Sequence, residues 1–107
     1  MASKAFLVVR SVLTDPSLRG RFEQLYQNDH LPWAIRVFGA EKAWRLWSET
    51  DADVHCAVYR FADIDALRRG MSGEGFKGLV ADYDRTWPAG VTRTREILTM
   101  AGESDAS

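Results

Sequence analysis

The chain has 107 residues, 46% of them hydrophobic, and its 14 basic and 15 acidic residues leave a net charge of −1. This length predicts one domain, over residues 4–100, followed by a disordered tail over residues 101–107, because a single core rarely divides below about 200 residues. The charge balance argues against a nucleic-acid binder that works through a large basic field. No apolar run approaches the roughly 18 residues that cross a bilayer, so we expect a soluble, cytoplasmic protein.

The first half of the chain predicts a strand followed by a broken helix. Residues 5–13 are rich in Phe, Leu and Val and predict the strand. Asp15 followed by Pro16 is typical of a helix N-cap and the first helical position. We expect this helix to be interrupted before Pro32, because the residue that precedes a proline disfavours the helical region. A short helical stretch over residues 33–38 should follow and end at a glycine.

The second half predicts three more strands and two more helices. The strands are expected over residues 41–48, 54–61 and 91–100, a short helix begins after Asp63, and the last helix has its apolar face at Phe76, Leu79, Val80, Tyr83 and Trp87. Between the two helices, the glycine-rich residues 70–75 predict a flexible loop that could serve as a lid. The order βαββαβ predicts an α+β, ferredoxin-like fold, in which both helical segments cover one face of a four-stranded antiparallel sheet.

Both faces of the predicted sheet are apolar. Along the first strand, for example, Leu7 and Val9 alternate with Phe6, Val8 and Val12. An antiparallel sheet with one solvated face normally alternates apolar and polar residues more cleanly, and a large exposed apolar patch is unusual in a monomer. The sequence therefore predicts a homodimer joined sheet to sheet, with a cavity in each subunit between the sheet and the broken helix.

Two segments resemble a known group of proteins. They are Tyr26-x-x-x-His30-Leu31-Pro32, and Tyr83-Asp84-Arg85-Thr86-Trp87 leading through Gly90-Val91-Thr92-Arg93 into the last strand. The chain is similar to the dimeric α/β-barrel superfamily and most closely to its EthD-like branch. The resemblance implies a ferredoxin-like subunit, a dimer and a pocket in each subunit. Superfamily members include cofactor-free monooxygenases, cyclases, isomerases, haem-binding and haem-degrading enzymes, and proteins without known activity, so the fold alone does not choose the chemistry.

His30 is the residue that the resemblance carries over from the EthD-like motif. The expected break at Pro32 would place it at a helix C-terminus, where the helix dipole favours the imidazolium. Facing an apolar pocket, this side chain could serve as a general acid or base, whereas the plainer alternative is a histidine that caps free carbonyls. Tyr26 and Tyr83 are candidates to donate a phenolic hydrogen bond to a substrate oxygen.

Aromatic side chains are the candidate walls of the pocket. The chain has four tryptophans, and we expect two of them to line the cavity, with Trp33, Trp47 and Trp87 as candidates. Aromatic walls bind flat, apolar ligands. His55 could add to a wall, although a structural role is the alternative. It cannot pair with Cys56 as a nucleophile, because neighbouring residues of a strand face opposite sides.

Arginines on the predicted strands could bind an anionic group. The predicted strands carry Arg10, Arg45, Arg60, and Arg93 with Arg95, the last two on one face. The binding candidates are Arg10, Arg60 and Arg93, because a guanidinium binds a carboxylate or phenolate through two hydrogen bonds. The alternative for each is a strand-end arginine that reaches solvent or pairs with Asp or Glu.

The sequence predicts a small cofactor-independent enzyme of the lyase, isomerase or cyclase type, acting on an aromatic or polyketide-like molecule. His30 would move the proton, and the expected partners are a small aromatic or anionic molecule and a second copy of the chain, with no nucleic acid and no membrane. We expect no metal or cofactor, because no Cys/His cluster is present. The alternatives are a haem-binding or haem-degrading protein, a cofactor-free monooxygenase, and a non-catalytic dimer that binds a small molecule.

Overall fold

The computed structural model describes residues 3–87 and 89–106. The last residue of the predicted tail lies outside this part of the chain, and the disorder of the tail stays a prediction. The strands are β1 (Ala5–Leu13), β2 (Lys42–Trp47), β3 (Val54–Phe61) and β4 (Val91–Thr99). The helical segments are a 3-10 turn (Pro16–Leu18), α1 (Arg19–Leu25), a π-turn (Tyr26–His30), α2 (Leu31–Phe38), α3 (Ile64–Ser72) and α4 (Glu74–Thr86).

The strands form one antiparallel sheet in the order β2-β3-β1-β4. The two central strands pair from Ala5 with Phe61 to Val12 with Val54. Both have the predicted bounds, and the predicted α+β, ferredoxin-like fold is confirmed. The edge strands are β2 and β4, and β4 lies along β1 from Val91 to Thr99.

The helical arm after β1 begins as predicted but does not break. Asp15 caps the 3-10 turn by accepting a hydrogen bond from the Ser17 amide at 3.1 Å. The predicted interruption before Pro32 is wrong, because α1, the π-turn and α2 follow one another directly. In the π-turn the amide of Leu31 bonds the carbonyl of Tyr26, five residues earlier, and Leu31 keeps helical dihedral angles. This wider turn accommodates the proline, which donates no amide hydrogen bond.

The glycine-rich residues 70–75 are not the predicted flexible loop. Helix α3 runs through Gly70 to Ser72, and α4 begins at Glu74 after the single extended residue Gly73. A Cβ on Gly70 would clash with the carbonyl oxygen of Phe38, and one on Gly75 would clash with the Val37 side chain. These glycines therefore let α3 and α4 pack closely against the end of α2, which leaves no lid.

The helices cover one face of the sheet and leave the other bare. Ala5, Leu7 and Val9 point to the covered face and are buried, whereas Phe6 and Val8 between them are only half-buried. On the bare face, Leu46 is 54% exposed and Leu98 43%. Within residues 3–87 and 89–106, no helix is long and apolar enough to span a membrane. The cytoplasmic location stays a prediction.

Candidate functional site

A small cavity of about 30 Å³, partly open to solvent, lies between the covered sheet face and the helices. Its sheet side is formed by inward-facing residues of β1, β3 and β4, and its helix side by residues of the π-turn, α2 and α4. The lining residues are Leu7, Val9, Tyr59, Arg93 and Arg95 from the sheet and Tyr26, His30, Phe38, Phe76, Leu79, Val80 and Tyr83 from the helices. An apolar space with a few convergent polar groups is the usual form of a small-molecule site.

His30 is buried in this cavity, with 5% of its surface exposed. The Tyr26 ring stacks on the imidazole at 5.5 Å between centroids, and the Tyr83 ring meets it edge-on at 5.9 Å. Neither imidazole nitrogen has a hydrogen-bond partner in the described part of the chain. Asp82 Oδ2 lies 4.0 Å from Nε2, beyond hydrogen-bond distance. Two unpartnered nitrogens beside a cavity leave this side chain free to bind a ligand or exchange a proton with it.

The position of His30 differs from the one expected. Because the helical arm is continuous, His30 lies at its π-turn rather than at a helix C-terminus. The dipole of a helix end therefore does not act on it. A π-turn inside an α-helix is often found at a functional site, because it reorients the side chains that it carries.

Three tyrosines surround the cavity as protonated phenols. Burial raises the pKa of Tyr59 to about 12, and burial together with the neighbouring Tyr59 hydroxyl raises the pKa of Tyr26 well above its usual range. Burial also raises the pKa of Tyr83, whose hydroxyl lies 3.0 Å from Ser11 Oγ in a buried hydrogen bond. A phenol with a raised pKa donates a hydrogen bond at neutral pH and does not act as a base.

Two arginines of β4 contribute positive charge to the cavity. Arg93 Cζ lies 3.9 Å from the centroid of the Tyr83 ring, and Arg93 donates a hydrogen bond to Asp84 Oδ1 at 2.9 Å. Arg95 lies two residues further along the same face, with its Cζ 5.3 Å from the Phe76 ring. Burial and the adjacent Arg93 cation lower the pKa of Arg95. Each guanidinium lies against an aromatic ring, which is favourable for a cation.

His55 and Trp47 lie outside the cavity in a second polar group, the sealed cluster, formed by Glu23, Arg45, Trp47 and His55. Arg45 Nε donates to His55 Nε2 at 3.2 Å, and Trp47 Nε1 donates to Glu23 Oε2 at 2.7 Å. Arg45 also donates to both Glu23 oxygens, at 3.0 and 2.5 Å. The hydrogen bond from Arg45 holds the pKa of Glu23 at about 2, and burial lowers the pKa of His55 to about 4.

None of the four tryptophans lines the cavity. Ala34 and Phe38 follow His30 at four-residue intervals and occupy the inward face of α2, so that Trp33 lies beside a shallow surface hollow. Trp87 follows the end of α4 and packs in the core, 5.6 Å from the Phe22 ring. Trp44 lies on the bare face of the sheet, opposite Val58.

Arg10 and Arg60 point away from the cavity. Arg10 pairs with Cys56 across the two central strands and Arg60 pairs with Phe6, all four on the bare face. Arg10 is exposed, and Arg60 Nε donates to Glu41 Oε2 at 3.0 Å. Strand alternation accounts for this placement, since the even-numbered residues of both central strands face away from the helices.

Of the ten candidate residues, the structure thus brings four together in the cavity: Tyr26, His30, Tyr83 and Arg93. Sequence reasoning did not assign Tyr59 and Phe76 to the site, although each carried a signal, and it grouped Arg95 with Arg93 on one strand face without choosing it as a binding residue. Tyr59 and Arg95 follow from strand alternation, as neighbours of Ala57 and Arg93 on the inward face. Phe76 lies seven residues before Tyr83 on the apolar face of α4.

The surroundings of His30 do not fit the haem alternative. A haem needs far more space beside its ligand histidine than this small cavity has, and the His30 ring lies between the rings of Tyr26 and Tyr83. In the described residues, no group of three or more His, Cys, Asp or Glu side chains is arranged to hold a metal ion.

Comparison with known proteins identifies the fold. No family model and no curated protein matches the sequence. Among solved structures, the chain is similar to a mutant form of SnoaB, a cofactor-independent oxygenase from Streptomyces nogalater (19% identity, TM-score 0.72, covering 95% of this chain and 97% of that one). It is also similar to HapK from Hahella chejuensis, with 17% identity and a TM-score of 0.71 over 96% of this chain and 98% of that one. A third similar structure is an ethyl tert-butyl ether D (EthD) family protein from Bacillus halodurans, with 14% identity and a TM-score of 0.62 over 85% of this chain and 96% of that one. These likenesses confirm the predicted ferredoxin-like fold of the subunit.

Proposed function

We propose that the cavity is the active site of a small enzyme that acts on an aromatic or polyketide-like molecule without a bound cofactor, with His30 as its acid and base. The observation that carries the proposal is the buried His30 imidazole, both of whose nitrogens lack partners among the described residues. An unpaired buried polar group costs free energy, so its retention beside a cavity favours a role with a ligand. The SnoaB likeness supports the same class of enzyme.

The first step assigned to His30 is removal of an acidic proton from the substrate. A His30 nitrogen takes the proton of a phenol or of a carbon next to a carbonyl, and the electron pair stays on the substrate as a phenolate or enolate. Arg93 and a tyrosine hydroxyl stabilise the negative oxygen that develops. The three tyrosines suit this part because their raised pKa values keep them as donors.

Two outcomes can follow from this anion. In the isomerase or cyclase reaction, the carbanion is protonated at another position or adds to a carbonyl of the same molecule, and the His30 imidazolium returns the proton. In the lyase reaction, His30 instead removes the proton of a β-hydroxyl, the carbon–carbon bond breaks to give a new carbonyl and the enolate, and the imidazolium protonates that enolate. In the oxygenase reaction, the anion gives two electrons to O₂ and forms a carbon–oxygen bond, and the resulting peroxide anion takes the proton from the His30 imidazolium to become a hydroperoxide. The cofactor-independent oxygenase SnoaB is the observation that favours the second outcome.

The bare face of the sheet supports a homodimer as the working assembly. Its side chains include half-buried Phe6, Val8 and Val58 and the exposed Leu46 and Leu98. A second copy packed on this face would remove these apolar surfaces from water. The proposed occupant is another copy of this chain because the patch extends over all four strands, as a sheet-to-sheet interface requires.

Turnover by a His30→Gln variant tests the proposal. The assay incubates the protein with hydroxynaphthalenes and aromatic 1,3-dicarbonyl compounds, and it follows product by chromatography and O₂ consumption by electrode. We expect His30→Gln to lower kcat by about 10²–10⁴-fold, the usual contribution of a general acid or base. One O₂ consumed for each product molecule indicates the oxygenase. Product formed without O₂ consumption indicates the lyase, isomerase or cyclase.

Matched measurements separate catalysis from folding and binding. Asp65→Asn, an exposed substitution on α3, should keep full turnover. Sedimentation should give a mass of two chains for both variants. Full turnover by His30→Gln contradicts the proposal, and ligand binding without any turnover in the unmodified protein supports the non-catalytic alternative.

A further inference from the structure

The two arginines of the cavity are not equivalent. Arg93 is largely buried, with 15% of its side chain exposed, and it is paired with Asp84. Arg95 has no hydrogen-bonded or ion-paired partner among residues 3–87 and 89–106 and is more exposed. The cavity therefore contains two guanidinium groups, only one of which is neutralised by a carboxylate at contact distance.

We propose that Arg95 binds the carboxylate of an aromatic acid, so that the substrate enters as an anion with its charged group at the Arg95 end of the cavity. The inference rests on the proposed function and names the substrate class of the same site. A guanidinium fork matches a carboxylate through two parallel hydrogen bonds, whereas a neutral ester offers no such charge.

The order of residues along β4 gives the cavity two chemically different ends. Arg93 pairs with Ser11, which bonds the Tyr83 hydroxyl, and Tyr83 contacts His30. Arg95 lies one same-face position further along β4, about 7 Å away at the rise of a strand. Proton transfer therefore belongs to the His30 end and anion binding to the Arg95 end.

The Arg95 end has the surroundings of an aromatic ring that carries a charge. The guanidinium lies 5.3 Å from the Phe76 ring, and Phe76 in turn lies 5.3 Å from the Phe38 ring between centroids. Phe38 also contacts the Tyr59 ring at 6.2 Å. Because the enclosed space is small, the aromatic ring of the acid packs at the solvent-open end of the cavity, against half-buried Phe76, with its carboxylate on the exposed Arg95. Arg93, the adjacent cation, adds to the attraction for an anion, since a bound carboxylate relieves the repulsion between the two guanidinium groups.

A pair of probes that differ in charge and by one methyl group tests this inference. The probes are 1-hydroxy-2-naphthoate and its methyl ester, and binding to the full chain is measured by calorimetry. We expect the acid to bind at least about 10-fold more tightly than the ester. Arg95→Gln should remove this preference, and Arg95→Lys should keep part of it, because lysine retains the charge without the fork.

Arg68→Gln, an exposed substitution on α3, is the matched control and should leave the preference unchanged. Three results would overturn the inference: equal affinity for acid and ester, no binding of the acid up to about 10 mM, or a full preference in Arg95→Gln. Because binding is measured without turnover, the result does not depend on His30. If Arg95→Gln loses the preference for the acid over the ester while His30→Gln keeps full turnover, the anion site is supported and the proposed catalysis is rejected.

Discussion

The cavity and the sealed cluster contain the same kinds of side chain, but they differ in how fully those side chains are paired. Each has a buried histidine and an arginine, and Tyr26 contacts both histidines, at 5.5 Å for His30 and 4.8 Å for His55. In the sealed cluster, Arg45 bonds His55 Nε2 and the half-exposed Glu23, so its charge is paired, and only His55 Nδ1 lacks a partner among the described residues. At the cavity, both His30 nitrogens lack a partner in the described chain.

This difference separates a stabilising polar group from a candidate site. Polar groups that hydrogen-bond one another hold elements together, and here the bonds from Arg45 and Trp47 to Glu23 fix α1 to the edge strand β2. Polar groups that converge on a cavity without satisfying one another have free hydrogen-bonding capacity for a ligand. A perturbed pKa alone does not distinguish the two, because the histidine with the pKa of about 4 is His55, outside the cavity.

The largest effect expected in the sealed cluster is a loss of stability in acid. Burial lowers the pKa of His55 to about 4 from an ordinary value of 6.5, so the unfolded chain binds a proton more readily than the folded one. Stability is therefore fully present above pH 6.5 and decreases as the pH falls towards 4. Urea unfolding at a series of pH values should show a loss on the order of 3 kcal/mol.

Two variants assign that loss to its group. His55→Gln should flatten the stability curve between pH 6.5 and 4. Glu23→Gln should keep the loss of stability between pH 6.5 and 4 but remove the further loss between pH 4.5 and 2. The pKa of Glu23 is lowered to about 2, so in the unmodified protein its contribution to stability disappears as this carboxylate is protonated. A wild-type curve that is flat from pH 7 to 4 would contradict the burial of a neutral His55.

The two regions also predict opposite behaviour for their arginines. Arg45→Gln should lower the free energy of unfolding by about 1–3 kcal/mol, because it removes charge-assisted hydrogen bonds from a side chain that is only 8% exposed. Arg95→Gln should change it by less than about 0.5 kcal/mol. Denaturant titration of both variants at pH 7 measures the contrast. Equal losses would show that Arg95 supports the fold rather than a ligand.

Parts of the fold that depend on local pattern were predictable from the sequence. The central strands β1 and β3 have the predicted bounds, because each is a long apolar run. The Asp15 and Asp63 caps were also predicted, and both accept the expected amide hydrogen bonds. The π-turn was not predictable, since the rule for the residue before proline is local and a five-residue hydrogen bond overrides it.

The candidate site was predictable only where alternation or helical spacing decides direction. Tyr26 and His30 are four residues apart and share the inward face of the helical arm. The tryptophans were misplaced because ring size indicates burial but not whether the ring faces a cavity or the core, as Trp87 against Phe22 shows. The sequence predicts a loop at Gly70 and Gly75, but a close contact between helices also requires glycine. Only their packing against Phe38 and Val37 distinguishes a helix contact from a loop.

The smallest expected effect concerns Asp84, the carboxylate that pairs with Arg93. Its side chain is 67% exposed, so Asp84→Asn should change the free energy of unfolding by less than about 0.5 kcal/mol, as is usual for a surface ion pair. Asp84→Asn also releases Arg93 and removes a negative charge beside the cavity. The affinity of the variant for 1-hydroxy-2-naphthoate should therefore rise about 2- to 3-fold, while its affinity for the methyl ester stays constant. Calorimetry at low salt measures both, with Asp65→Asn on α3 as the charge-matched control. Weaker binding of 1-hydroxy-2-naphthoate by the Asp84→Asn variant would mean that Asp84 holds Arg93 in its binding position. The ion pair would then be part of the site.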